Sequence, residues 1–393
     1  MKLKYKHTQY ACYIGYITQA IVNNLAPLLF LTFQKEFAIS LDKISLLIFL
    51  NFAFQILVDF LAARYVDRIG YRPCMIFAHI FAAVGLIGFG IFPRLLPDPY
   101  LGLLLSILLN ALGGGLLEVL VSPIVESLPN DEKSSAMSLL HSFYCWGHMG
   151  VVILSTLFFT TIGISNWKIL TALWAIVPIF NAFFFAKVPL NTLEAQEESA
   201  HDFSSFVRSR LFWIFIVLMI CSGASEQAMS QWSSLFAESG LKVSKTMGDL
   251  LGPCAFACLM GISRAFYGKF GAKISLQKFI VGSGCLCIFS YLLATLSPSA
   301  LLSLVGCALC GLSVGIMWPG TFSLACEHCP GMSTAAFAMF ALAGDLGCAS
   351  GPALTGRVSS LFGDNLKSGL LAALIFPVFM LIFIRMLPKK KKA

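Results

Sequence analysis

The chain has 393 residues, of which 58% are hydrophobic and only 12% charged, where a soluble globular chain carries about 25% charge. Mean hydropathy is +0.83 and 35 residues are Phe, more apolar surface than a water-facing domain can hide. The net charge of +8 has no basic face interleaved with aromatics, which excludes a nucleic-acid binder and leaves an all-α integral membrane protein.

Apolar runs of about 20 residues or more, broken by charge or by Pro and Gly, predict twelve transmembrane helices. They fall at roughly 9–34, 43–66, 73–92, 99–127, 135–160, 167–187, 210–237, 246–268, 276–297, 299–326, 332–358 and 366–387. The basic stretch Met1 to Lys6 leads into the first of these with no small-residue cleavage site, the pattern of a retained helix and not of a removed signal peptide. With Lys and Arg assigned to the nearer side, 19 of the 27 fall on the side holding both termini and 8 on the other. That bias predicts a multi-pass protein of the cell membrane with cytoplasmic termini. The 13 cysteines mostly lie inside apolar runs, where Cys behaves as a small hydrophobe and not as half of a disulfide.

Ionisable and amide residues inside spans carry the chemical information, since a charge at bilayer depth costs several kcal/mol unless it faces a cavity or a partner. The first helix aligns Gln19 with Asn23, amides that offer a hydroxylated ligand donors and acceptors together or bond between helices. The second shows Asn51, Gln55 and Asp59 on one stripe, with Asp59 near Arg64 and Arg68 as an expected gating ion pair. In the fourth, Glu118 lies about midway, where a partly desolvated carboxyl can take up and release a proton. Glu126 is about 12 Å nearer the cytoplasm and reads as a surface or gate residue. His141 and His148 share a face of the fifth helix, an arrangement open to proton relay.

Residues 188–209 form the single long polar stretch and divide the chain into six-helix halves, 1–187 and 210–393. Beyond this linker the seventh helix carries Glu226, Gln227, Gln231 and Trp232. Trp232 and, in the tenth helix, Trp318 are candidate platforms for the apolar face of a sugar ring, or else packing and interfacial residues. Asp345 is the sole acid of the eleventh span, expected to face a cavity or to pair with a base such as Arg264. Cys326-Glu327-His328-Cys329 has zinc-like spacing with no second pair at finger distance, so no metal site is expected. The sequence holds no phosphate-cradling G-x-x-x-x-G-K-[ST] loop and no hydrolase elbow, so neither nucleotide driving nor an enzyme is expected.

The two halves echo one another. Asp67-Arg68-Ile69-Gly70-Tyr71-Arg72 follows the second helix and Gly268-Lys269-Phe270-Gly271-Ala272-Lys273 follows the eighth, while Pro123 in the fourth is matched by Pro319 in the tenth. Such repeats are the building plan of transporters that rock one bundle against the other. The Asp67-Arg68-x-Gly70-x-Arg72 turn resembles the signature loop of the major facilitator superfamily, with Ala63 where that family usually has Gly. The resemblance implies two six-helix bundles and a cytoplasmic latch formed by Asp67, Arg68 and Arg72, with Gly70 making the turn and Lys269 at the equivalent place. Finer likeness is to the fucose-permease-like branch of sugar:proton symporters. It rests on Asn23-Asn24-Leu25, on Gly113-Gly114-Gly115-Leu116-Leu117-Glu118, on Leu139 to Gly147 including His141 and Tyr144, and on Trp318-Pro319-Gly320-Thr321-Phe322-Ser323-Leu324. By that resemblance Glu118 is the buried proton-coupling glutamate, the branch's other acid is replaced by Pro27, and its helix-5 Gln by His141.

These readings together predict a secondary transporter working by alternating access on a small polar, sugar-like solute, with the proton as coupling ion and no other cofactor. Proton coupling is assigned to Glu118, His141 and Asp345. Solute contact falls to Gln19, Asn23, Asn24, Gln55, Glu118, His141, Tyr144, Glu226, Gln227, Gln231, Trp232 and Trp318. The expected partners are the solute and the lipid bilayer, for a monomeric chain. An exporter exchanging a drug or metabolite for protons is the alternative, and a sensor or enzyme on a transporter fold a remote one.

Overall fold

The computed structural model describes residues 3–129, 133–190, 207–271, 274–328 and 334–388. Every apolar run forms a helix, because only a helix satisfies its own backbone polar groups within a bilayer. We label them α1 (Tyr5–Phe37), α2 (Leu41–Ile69), α3 (Tyr71–Leu95), α4 (Pro99–Ser127), α5 (Lys133–Thr161), α6 (Ile164–Lys187), α7 (Arg210–Gly240), α8 (Lys245–Phe270), α9 (Leu276–Leu296), α10 (Ala300–His328), α11 (Thr334–Leu361) and α12 (Leu366–Arg385). All twelve predicted spans are present, and the described residues contain no strand.

Helix ends follow local chemistry. Ser40 caps α2 through its side-chain oxygen, Asp98 caps α4 just before a first-position proline, and Ser209 caps α7. The tight turn between α2 and α3 needs Gly70, whose φ of +94° is a conformation L side chains rarely adopt. Several spans are interrupted. In α1 the regular helix stops at Asn24 and passes through a 3-10 turn at Ala26–Leu29 containing Pro27. In α8 a wide turn at Leu250–Cys254 contains Pro253. Each follows from a proline that cannot donate to the helical ladder.

α1 to α6 pack on one another, as do α7 to α12, and the two bundles meet chiefly along α2 with α11 and along α5 with α8. With twelve crossings, Tyr5 and Arg385 lie at the same end of the molecule, here termed the terminal face; the opposite end is the distal face. The acidic first part of the linker falls outside the described residues.

Candidate functional site

The polar residues of α1 organise the centre. One helical turn apart, Gln19 and Asn23 are both buried and face different partners. Gln19 Nε2 donates to Glu118 Oε2 at 2.7 Å, joining α1 to α4. Asn23 Oδ1 accepts from Gln55 Nε2 at 3.0 Å, joining α1 to α2. Asn24 Nδ2 donates to Ala20 O at 2.9 Å and to the Tyr144 hydroxyl at 3.3 Å, reaching α5.

The link to the second bundle uses a carbonyl that the helix cannot satisfy itself. In a continuous helix the Asn23 carbonyl would accept from residue 27, but Pro27 has no N–H. Gln231 Nε2 on α7 donates to that carbonyl instead, at 3.2 Å. The network continues from Gln231 Nε2 to Gln227 Oε1 at 3.1 Å and from Gln227 Nε2 to Glu226 Oε1 at 3.2 Å. Arg264 Nη2 of α8 then stands 3.7 Å from Glu226 Oε2, and its Nε donates to Gly315 O at 3.1 Å. The polar groups come from both bundles, an arrangement suited to a ligand bearing several hydroxyls.

Three acids, Glu118 among them, sit nearer the terminal face. Asp59, Glu118 and Asp345 are ten, nine and eleven residues from the terminal-side ends of α2, α4 and α11, hence all roughly 15 Å deep. Asp59 and Asp345 belong to opposite bundles, on helices that pack against each other. Gly115 makes room for them, since a Cβ there would come within 3.3 Å of Asp59 Oδ1. Glu118, Tyr144 and Trp318 are half-buried and His141 is exposed, although all lie well inside their spans, so they border a wet space between the bundles. His141 faces the Tyr16 ring at 5.3 Å, and Tyr16 in turn shares a 3.0 Å hydrogen bond with Ser122. His148 is buried two turns deeper on α5.

Other expected residues stand elsewhere. Asp59 makes no ion pair with Arg64 or Arg68 among the described residues; both arginines are exposed, and Arg64 lies over the Tyr65 ring. Asp59 lies almost three turns into the span, whereas both arginines stand nearer the helix end and project outward. Arg264 pairs with Glu226, not with Asp345. Trp232 is fully buried, donates from Nε1 to Pro352 O at 3.0 Å and packs against Phe30. It therefore fills the joint between α7, α11 and α1 and offers no open face as a platform. Trp318 keeps an open face while its ring lies over Gly344.

Arg72 donates to the carbonyls of Phe185, Ala186 and Val188 at 2.8 to 3.0 Å. It thus ties α3 to the end of α6 inside one bundle and makes no bridge to the other. Lys269 lies over the Phe270 ring at the end of α8. Glu126 is exposed. The side chain of Asp67, together with Lys273 and Cys329, lies outside the described residues.

The sequence reading missed a cluster at the distal face. Lys245 Nζ, at the start of α8, bonds Asp249 Oδ1 at 3.0 Å, Glu238 Oε1 at 2.8 Å, Ser234 Oγ at 3.0 Å and, across the bundle boundary, Leu28 O at 2.6 Å. Asp249 is fully buried and also accepts from Ser234 at 2.6 Å and from Thr156 of α5 at 3.5 Å. The i, i+4 spacing of Lys245 and Asp249 was the available signal. Farther out, Asp42 and Arg357 pair at 2.9 Å and Ser45 donates to Ala353 O. Among the described residues, hydrogen bonds and ion pairs between the bundles lie from the centre to the distal face.

A family model, Major Facilitator Superfamily, matches residues 12–352. No curated protein sequence matches the chain. Among solved structures, the Escherichia coli fucose:proton symporter is 17% identical over 96% of this chain and 98% of its own, with a TM-score of 0.66. A D-xylose-proton symporter is 14% identical, covering 96% and 97%, with a TM-score of 0.77. A bacterial homolog of the human lysosomal transporter Spinster, inward-facing and unoccupied, is 14% identical over 97% and 96%, with a TM-score of 0.76. At these identities the likeness establishes the fold.

Proposed function

The chain belongs to the major facilitator superfamily of transporters, and from that premise we propose that it moves a small polar, sugar-like solute by alternating access, coupled to protons in symport. The observation that carries this reading is a set of buried amides in two groups: Gln19 on Glu118, and Asn23 joined to Gln55 and, through its carbonyl, to Gln231, Gln227 and Glu226. It presents paired donors and acceptors from both bundles at bilayer depth, and its neighbours include the open faces of Trp318, Tyr144 and His141. A neutral, hydroxylated ligand is served by such groups without bringing a charge into low dielectric. Two of the similar structures are sugar:proton symporters, which supports the same class.

Glu118 is the coupling carboxyl in this reading, because it joins that network to the acids of the wet space. Protonated, it enters the reoriented state without a bare charge; ionised, it accepts the Gln19 amide. In this reading the terminal face is cytoplasmic, which the bias of Lys and Arg supports, and the protein resides in the cell membrane as a monomer. The excess of acid over base around Asp59 and Asp345 favours a second reading, exchange of a metabolite against protons, in which the same carboxyls alternate between the two.

Proteoliposomes loaded with pentoses, hexoses, deoxyhexoses or polyols, with and without an imposed pH gradient, test the proposal. Accumulation of one of these driven by inward protons, and its reduction to simple exchange in Glu118→Gln, is the expected result. Efflux driven by inward protons would replace symport with exchange. Transport of none of the panel would remove the sugar-like assignment.

A further inference from the structure

We propose that Arg264 of α8 is a carboxylate subsite, so that the protein binds hydroxylated monocarboxylates, sugar acids such as uronates and aldonates, in preference to the neutral sugars of the same skeleton. The inference rests on the proposed transport of a hydroxylated solute and narrows its class. It starts from what the guanidinium touches. Nε donates to Gly315 O at 3.1 Å, Nη1 to Cys145 Sγ at 3.4 Å and Nη2 to Met260 Sδ at 3.8 Å. Glu226 Oε2 stands 3.7 Å from Nη2, within ion-pair range but too far for a hydrogen bond. Among the described residues, then, Nε alone of the three nitrogens donates to an oxygen, while Nη1 and Nη2 reach only sulfur, a weak acceptor.

A permanent cation served in this way has binding capacity to spare. Its side chain keeps 22% of its surface exposed, and its planar fork matches a carboxylate through two parallel N–H groups. An incoming carboxylate displaces only sulfur and a loosely paired acid, and Glu226 still holds the Gln227 amide on Oε1. The distal cluster is the contrast, because there Lys245 Nζ already bonds Leu28 O, Ser234 Oγ, Asp249 Oδ1 and Glu238 Oε1. An ammonium with three donors has none left for a ligand.

The position of the guanidinium suits a carried solute. Cys145 belongs to α5 of the first bundle, while Met260, Gly315 and Glu226 belong to the second, so a carboxylate bound here is gripped where the two halves meet. The elements that hold Arg264 also supply groups for the rest of a sugar acid. On α7, Gln227 and Gln231 continue from Glu226 as a hydrogen-bonded row, with donors and acceptors for hydroxyls. On α10, Trp318 lies one turn past Gly315 and keeps an open face, available to the apolar side of a ring. Glu118, Glu226 and Asp345 already lie inside the spans, so one negative charge on the solute is what this single guanidinium can balance.

Matched ligand pairs test the subsite. Full-length protein in nanodiscs is titrated calorimetrically with D-glucuronate against D-glucose, D-galacturonate against D-galactose and D-mannuronate against D-mannose. In the wild type the acid of at least one pair is expected to bind about tenfold or more tighter than its neutral partner, the scale of a hydrogen bond to a charged group. Arg264→Gln should bring that ratio close to one. Arg264→Lys keeps the charge but not the fork and should retain part of the preference. The ratio is taken within each variant, so a residue that merely tied α8 to α10 would weaken acid and sugar together and leave the ratio unchanged. Equal wild-type affinities within every pair that binds, or an unchanged ratio in Arg264→Gln, overturn the subsite and leave the hydroxylated-solute reading intact. Should Arg264→Gln not fold, an unchanged ratio in Arg264→Lys overturns it equally. Binding by neither member of any pair removes the subsite and that reading together.

Discussion

Lys245 Nζ lies 2.6 Å from the carbonyl oxygen of Leu28, so one ammonium group of the second bundle fastens the first at the distal face. The same nitrogen neutralises Asp249, which is fully buried. Removing the cation leaves an uncompensated buried charge, a loss of about 3–5 kcal/mol, and the arrangement that buries it bears that cost. Lys245→Met is thus expected to shift the protein toward a distal-open form. Distances between labels on the distal ends of α2 and α11 should lengthen; an unchanged distribution would show that the cluster does not hold this face closed.

A different outcome is expected at Arg72. Its three carbonyl partners lie at the end of α6 and just past it, so its removal acts on the folding of one bundle. Hydrogen bonds from a charged group contribute roughly 1.5–3 kcal/mol each. Arg72→Ala should lower the thermal midpoint in detergent while the folded fraction transports at the wild-type rate. Normal stability with slowed transport would restore the latch role expected from the signature loop.

Pro27 makes a third test, because its missing N–H is what frees the Asn23 carbonyl for Gln231. Pro27→Ala supplies a donor that completes the α1 ladder and competes with the Gln231 amide. One exchanged hydrogen bond amounts to about 1 kcal/mol, hence roughly a fivefold loss of solute affinity with little change in stability. Equilibrium binding of the transported solute reads the difference, and unaltered affinity would mean that the α1–α7 bond takes no part in the site.

The spans were legible because apolar length is a one-dimensional property. The run 99–127 coincides with Pro99–Ser127, and most other ends shift by a few residues. Interior breaks were less visible. Pro27 and Pro253 stand at two of them, but the divisions at Ala175 and Gly315 have no proline within them. The amide stripe of Gln19, Asn23 and Gln55 was readable from helical period, since one inward face must gather the polar residues. Partner choice was not readable. Whether Arg264 meets Glu226 or Asp345, and whether Asp59 finds Arg64, depends on which helices abut and at what height. The Trp232 misassignment has the same origin. A tryptophan beside Gln and Glu in sequence occupies another face of the helix, and only packing shows that its face is closed.

Trp232 supplies the last test, because burial and solute contact predict opposite signatures. The indole is fully buried, donates to Pro352 O at 3.0 Å and lies 6.1 Å from the Phe30 ring, so it joins α7 to α11 and α1 as core. Trp232→Ala removes that volume and leaves a cavity, at about 3–5 kcal/mol, and it also strips the Pro352 carbonyl of its donor. The expected result is a marked fall in thermal midpoint. Trp232→Phe keeps most of the ring and should recover much of the stability while lacking the hydrogen bond. For both variants the affinity of the surviving folded protein for its solute should stay within about twofold of wild type, a difference of less than 1 kcal/mol. Trp318→Ala is the matched control, since its open face borders the wet space and its loss should weaken solute binding more than folding. A Trp232 variant with normal stability and tenfold weaker binding would return this residue to the solute site.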